Sequence, residues 1–192
     1  MDASVVCVSH TEGAGGRAVG EAVAERLGWR FADEAIVVDA ARAEGLLPES
    51  VSYAERRNAR RSTEVDFGRV EKTESLRDLI TAAVVRAADE GEVVIVSHAA
   101  SYPLAQRPGV LRVLVTASDE TREARVAEED GVDAKEARKR LGESDKGRAA
   151  YLERFYGVKR EQPTDYDVVV NTDRLSVPEA ASVVAAAAAA FA

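Results

Sequence analysis

A short apolar run, Ala3–Ser9, passes at once into a glycine cluster, Glu12–Gly16, and the cluster opens directly into a helical pattern. No other feature limits the possible folds of this chain so sharply. The run is β-branched, with polar residues only at its edges, as expected of a strand buried on both faces. Beyond the glycines, Val19, Val23 and Leu27 recur every four residues and make one apolar helix face. Gly28 is placed to end that helix. A strand leading through glycines into a helix turns backbone N–H groups and a helix N-terminus toward one point, which suits an anion. In a parallel sheet the first such turn is the usual seat of phosphate groups.

The rest of the chain repeats the alternation. Trp29–Phe31 reads as a short second strand, with Asp33 just past it. Asp39–Arg77 holds few large apolar residues and a basic cluster, Glu55–Arg61, and is expected to form small helices joined by loops. Ser75–Glu90 reads as a helix with Leu76, Leu79, Ile80, Ala83 and Val84 inward, stopped by Gly91. Glu92–Val96 and Val110–Thr116 are buried strands. Ser118 caps a helix that Gly131 breaks, and Asp133 with Glu136 predicts a capping box for a long helix up to Gly157. Tyr166–Val170 is the last buried strand, ending at Asn171 and Thr172, and a helix from Val177 closes the pattern. The order is strand, glycine loop, helix, strand, helices, strand, helix, strand, helices, strand, helix. It predicts a three-layer α/β/α sandwich around a parallel five-stranded sheet, in one domain over residues 1–192.

Composition excludes several classes. A length of 192 residues fits one domain of about 100–200. With 46% hydrophobic and 31% charged residues, the balance is globular and not disordered. A net charge of -8 gives no global attraction for DNA, RNA or anionic membranes. The single cysteine, Cys7, allows no internal disulfide and fits a reducing cytoplasm. Mid-strand, it reads as a buried, inert thiol. The first ten residues lack the pattern of a signal peptide. The apolar stretch Glu179–Ala192 is shorter than the ~20 residues needed to span a bilayer, and reads as a helix packed on the sheet.

The glycine loop departs from GxxxxGK[ST]. Gly16 stands at the lysine position, Arg17 follows, and Ala18 lacks the hydroxyl that would hold magnesium. Arg17 either reaches back to the phosphates in a bidentate contact or points to solvent, and the first reading is favoured. Arg122 and Arg125 lie three apart, as do Asp145 and Arg148, so each pair can share a helix face. The alternative is a solvated surface pair of little worth. Arg56, Arg57, Arg60 and Arg61 form a grip on an acceptor phosphate, a nucleic-acid patch or, most commonly for such runs, a solvated segment. His10, His98 and Cys7 have the wrong number and spacing for a metal site.

The segment from Val8 to Val37 resembles the start of the cytidylate kinase-like family, P-loop nucleoside-phosphate kinases with a GSGGR-type loop in place of the lysine motif. The resemblance continues, in order, through VVIVSHAA, VLRVLVTASDETREARV, ESDKGRAAYLERFYG and DYDVVVNTDRLS, and covers most of the chain outside Asp39–Arg77. It implies that Gly13, Ala14, Gly15, Gly16, Arg17 and Ala18 cradle the ATP phosphates. Asp33 matches an acid on the acceptor side. Arg122 and Arg125 open the lid helix, and Asp145, Lys146 and Arg148 match its DKxR stretch, closing over the transferring group. Asn171 and Thr172 would lie beside the adenine. Residues near 39–77 would form the acceptor-binding insertion, with Arg57, Arg60 and His98 toward the substrate, and residues near 122–160 the lid helices.

The chain also departs from the family. Ser97-His98 stands where the family has Gly-Arg, and His10 stands where it tends to have arginine. The implied function is ATP-dependent phosphorylation of a small acceptor, with a pyrimidine nucleoside monophosphate first. Magnesium would be held by phosphate oxygens, water and Asp33, with no dedicated protein metal site. Two alternatives follow from the departures: a nucleotide-binding sensor or interaction protein that no longer turns over, and a P-loop kinase of a small molecule other than a nucleotide.

Overall fold

The computed structural model describes residues 3–33, 73–97 and 100–191. The predicted positions of Arg57, Arg60 and His98, and most of the 39–77 region, lie outside them. Among the described residues five strands are formed: β1 (Val5–His10), β2 (Arg30–Ala32), β3 (Val93–Val96), β4 (Val110–Thr116) and β5 (Val168–Asn171). They form one sheet in the order β2-β3-β1-β4-β5. Every neighbouring pair is parallel, with Val5 opposite Val93 on one side and Val110 on the other. Among the described residues the α-helices are α1 (Gly16–Leu27), α2 (Thr73–Asp89), α3 (Asp119–Asp130), α4 (Ala134–Tyr156) and α5 (Val177–Ala190).

The strand pleat sorts the core into two layers. Val6, Val8, Val94, Val96, Leu111 and Val113 face α1 and α5, meeting Val19, Val23, Ala181 and Val184. Their neighbours Val5, Cys7, Val93, Ile95 and Val110 point the other way, toward Val84, Ala87 and Ala88 of α2 and toward Leu104. This is the period of two in a strand, with both faces covered, as the apolar runs predict. α1 lies close to β3 because Gly20 has no Cβ. One added there would stand 2.3 Å from Val96 Cγ2. A smaller cluster, Val126, Ala137 and Leu141, joins α3 to α4.

Some expectations are corrected. The last strand is not wholly buried: β5 is the sheet edge, and of its residues only Val170 is inside. The connection between β3 and β4, read as holding a helix, is a run of turns over residues 100–106. Asp133 does accept from the Glu136 N–H at 2.8 Å. The Glu136 carboxylate, however, turns to Arg140 instead of completing the box. A full capping box forms instead at Ser176 and Glu179, opening α5.

Candidate functional site

β1 is the central strand, and the chain crosses to opposite sides of it after β1 and after β3. The carboxyl ends of the strands at such a switch point form the crevice where open α/β sheets bind ligands. There β1 ends at His10, and the loop turns back with the Ala14 N–H donating to the Thr11 carbonyl at 3.1 Å. Gly13 and Gly15 adopt positive φ, +75° and +74°. Both are conformations that L side chains take only with strain. Gly15 caps α1 without any side-chain hydrogen bond, and the first turn carries no acid. Val19 is the residue whose N–H returns to the Gly15 carbonyl, at 3.0 Å. The N–H groups of Gly16, Arg17 and Ala18 therefore have no intrahelical partner and point to where an anion binds.

Two predicted cations grip the outside of this loop. Arg122, 4% exposed, donates from Nε to the Glu12 carbonyl at 2.7 Å. Its two terminal nitrogens meet the Asp145 carboxylate at 3.0 and 2.6 Å. The three-residue spacing puts Asp145 and Arg148 on one helix, but α4 presents Asp145 to Arg122 of α3 and not to Arg148 as a surface pair. Arg125 donates to the Gly13 carbonyl at 3.2 Å and to the Thr172 carbonyl at 2.7 Å. The Thr172 hydroxyl, buried, accepts from Arg125 at 3.0 Å and donates to the Ala14 carbonyl at 2.9 Å. Thr172 thus ties β5 to the loop. Its neighbour Asn171 is exposed and caps the Asp173 N–H at 2.8 Å.

The other two predicted arginines are held by carboxylates. Arg17 pairs with Asp33 in a short contact and with Glu21 at 3.0 Å, its guanidinium 5.5 Å from the centre of the Phe31 ring. The structure therefore joins Arg17 to Asp33 rather than folding Arg17 back over the loop. Arg148 is almost fully buried and makes a bidentate pair with Glu161, at 2.9 and 2.6 Å. The Tyr166 hydroxyl donates to the same Glu161 carboxylate. Burial first, and then the Glu161 charge, push the Tyr166 phenol up to about 12. Burial also pushes the Cys7 thiol up to about 12, which fits the inert thiol expected there.

Beside the loop lies a pocket of about 520 Å³, lined by Thr11, Asp145, Arg148, Leu152, Lys159, Arg160 and Glu161. That volume suits a small molecule. The Thr11 hydroxyl is buried there with no hydrogen-bond partner among the described residues. Thr11, Lys159, Arg160, Glu161 and Tyr166 were not singled out from the sequence. A signal existed: a Lys-Arg-Glu run just past the helix-ending Gly157.

The sequence profile of the cytidylate kinase-like family matches residues 5–174. This chain belongs to that family. A cytidylate kinase from Methanopyrus kandleri is 35% identical over 112 residues, 53% of this chain and 56% of that protein. The chain thus spans little more than half the length of that relative. Among solved structures, an uncharacterized protein from Eubacterium ventriosum superposes with a TM-score of 0.69 at 19% identity, covering 94% of both chains. A shikimate kinase from Acinetobacter baumannii, solved with shikimate, superposes at 0.56 with 14% identity, covering 95% of this chain and 90% of that one. These likenesses show the three-layer P-loop fold. Among the described residues, no helix is long and apolar enough to cross a membrane.

Proposed function

We propose that this protein transfers the γ-phosphoryl group of ATP to a small acceptor, a pyrimidine nucleoside monophosphate first among them. The observation that carries the reading is the open loop between β1 and α1, with three helix N–H groups that have no intrahelical partner and no acid in the first turn. Phosphoryl transfer asks a protein mainly for positioning and charge neutralisation. An acceptor phosphate oxygen bonds to the γ-phosphorus as the bridging oxygen leaves with ADP.

In this reading the chain works as one kinase-like unit. Gly13–Ala18 hold the ATP phosphates, and Asn171 and Thr172 sit near the adenine. Asp33, Arg57, Arg60 and His98 serve the acceptor, Arg57 and Arg60 from an insertion near 39–77. The lid, near 122–160, divides its labour. Arg122, Arg125 and Asp145 position the loop, while Arg148, with Lys159 and Arg160, faces the pocket. No cluster of three metal-ligating side chains occurs among the described residues. Magnesium fits as an ion carried by the triphosphate, with Asp33 as the protein's contribution, where it would neutralise phosphate charge. A cytoplasmic location accords with these substrates.

The test is ADP production from Mg-ATP with CMP, dCMP, UMP, AMP and GMP offered in turn. Turnover that depends on CMP, dCMP or UMP is expected. Absence of turnover with every acceptor would overturn the kinase reading. One observation favours a second reading, a nucleotide sensor without turnover. Arg17, the cation beside the missing lysine, rests on Asp33 and Glu21 in the free protein and not over the loop. That reading expects calorimetric ADP binding with no turnover, and loss of binding would end it.

A further inference from the structure

Gly16 begins α1 at the position where a P-loop carries its lysine. A Cβ added to Gly16 would stand 2.2 Å from His10 Cβ, 2.3 Å from His10 Cγ and 2.8 Å from His10 Cδ2. The first atoms of a lysine side chain at position 16 and the His10 side chain therefore claim the same space. The motif begins with a glycine and carries its lysine six residues on, whereas this loop begins with a histidine and has glycine at the lysine's place. The two departures are a single exchange across the loop.

We propose that His10 stands in for the P-loop lysine and donates a hydrogen bond from its imidazole to a nucleotide phosphate. This rests on the phosphate-loop reading above and adds to it the residue that replaces the missing cation. His10 lies at the carboxyl end of the central strand, and its neighbour Thr11 lines the pocket. Nδ1 faces the Thr11 carbonyl at 3.2 Å, which makes Nδ1 the donor to that oxygen. Nε2 then donates only when the ring is an imidazolium. In the free protein burial first, and then the charge of the Arg148 guanidinium, hold the His10 ring below its ordinary range against the opposing Thr11 hydrogen bond. A phosphate group brings the negative charge that reverses this balance. Arg148 of α4 is a charged group that acts on the ring, and Glu12 follows two residues on in the loop. Arg17 of α1 is turned to Asp33.

The experiment measures ADP affinity by calorimetry for the wild type, H10G, G16K and H10G/G16K, each checked for folding by thermal melting. H10G is expected to weaken ADP about tenfold or more, the loss of a charge-assisted phosphate contact. G16K alone meets the His10 ring and is expected to lose both stability and affinity. The double variant has glycine at the first position and lysine at the second, and is expected to return to within about threefold of the wild type. A merely structural histidine would not produce that rescue. H10G binding ADP within about twofold of the wild type, or a double variant no better than H10G, would overturn the inference while leaving the loop reading intact. A wild type that does not bind ADP removes the loop reading and the inference together. Should H10G fail to fold, the imidazole resonances of the wild type decide. The chain has two histidines, so H98Q assigns them. His10 resonances must move on ADP addition, and fixed resonances overturn the inference.

Discussion

Among the described residues four arginines stand near the glycine loop, and they fall into two pairs. Arg122 and Arg125 each place a guanidinium nitrogen on a backbone carbonyl of the loop itself, at Glu12 and Gly13, although Arg122 also holds the Asp145 carboxylate. Arg17 and Arg148 place theirs on side-chain carboxylates, Asp33 and Glu161. A carbonyl of the loop cannot be given up without unmaking the loop. A carboxylate can be exchanged for a phosphate, which presents the same two-oxygen edge to an arginine fork. The first pair therefore belongs to the architecture and the second is available for chemistry. Arg125 also does something at a distance. Among the described residues it meets no carboxylate, and its Nη1 lies 3.9 Å from where a Gly15 Cβ would be. Its charge stays unneutralised behind the loop and favours an anion in front of it.

The largest test of that division is Arg122→Ala. It strips the Glu12 carbonyl and the Asp145 carboxylate of their buried partner at once. A loss of about 3 kcal/mol in unfolding free energy is expected. Urea titration checks it, and a loss as small as that of an exposed pair would place Arg122 with the exchangeable arginines. Arg148→Ala should act on the other side of the division. Roughly 100-fold in kcat/KM for the acceptor-dependent reaction is expected to go, with Arg148→Lys intermediate because it keeps the charge and loses the fork. If Arg148→Ala changes stability but leaves kcat/KM untouched, Arg148 is a brace like Arg122.

The two positive-φ glycines sharpen the comparison at smaller scale. A Cβ at Gly13 would stand 2.9 Å from the Arg122 carbonyl oxygen, a backbone atom that cannot easily move. At Gly15 the nearest atom is the end of the Arg125 side chain. Gly13→Ala should therefore cost roughly 2 kcal/mol, strain plus clash, and Gly15→Ala about 1, strain alone. Equal losses in thermal melts would mean that α3 does not press on the loop at Gly13.

These pairs also show what the sequence makes legible. The strands, the helix ends and the glycine loop follow from runs and spacings within a few residues of one another. Val6 and Val8 facing one layer while Val5 and Cys7 face the other is a local consequence of strand geometry. The partners of the arginines are not local. Arg122 reaches 23 residues to Asp145, and Arg125 reaches 47 to Thr172. The three-residue spacing of Asp145 and Arg148 does put both on α4, and both line the pocket, yet tertiary contacts give each a different partner. His10 was visible as a departure. That it fills the space over Gly16 required the loop's curvature.

The smallest expected effect comes from an ion pair remote from the loop, which serves as the control. Arg112 of β4 pairs with Asp167 just before β5, at 2.7 and 3.1 Å, with the Arg112 N–H adding a third bond at 2.8 Å. Burial alone would push the Asp167 carboxyl up. The Arg112 hydrogen bonds outweigh it and hold the carboxyl below its ordinary range. A carboxyl depressed on folding adds stability that is fully present above its unfolded value, about 3.9, and is lost as pH falls through the lower folded value. Asp167→Asn should therefore lower stability at pH 7 by about 1 kcal/mol or less. The gap between variant and wild type should close as the pH drops below about 4. ADP affinity should not change, because this carboxylate-held arginine stands outside the pocket. A shift in ADP affinity would mean that holding an arginine by a carboxylate is not what marks Arg17 and Arg148 for phosphate, and that the sheet transmits strain from its edge to the loop.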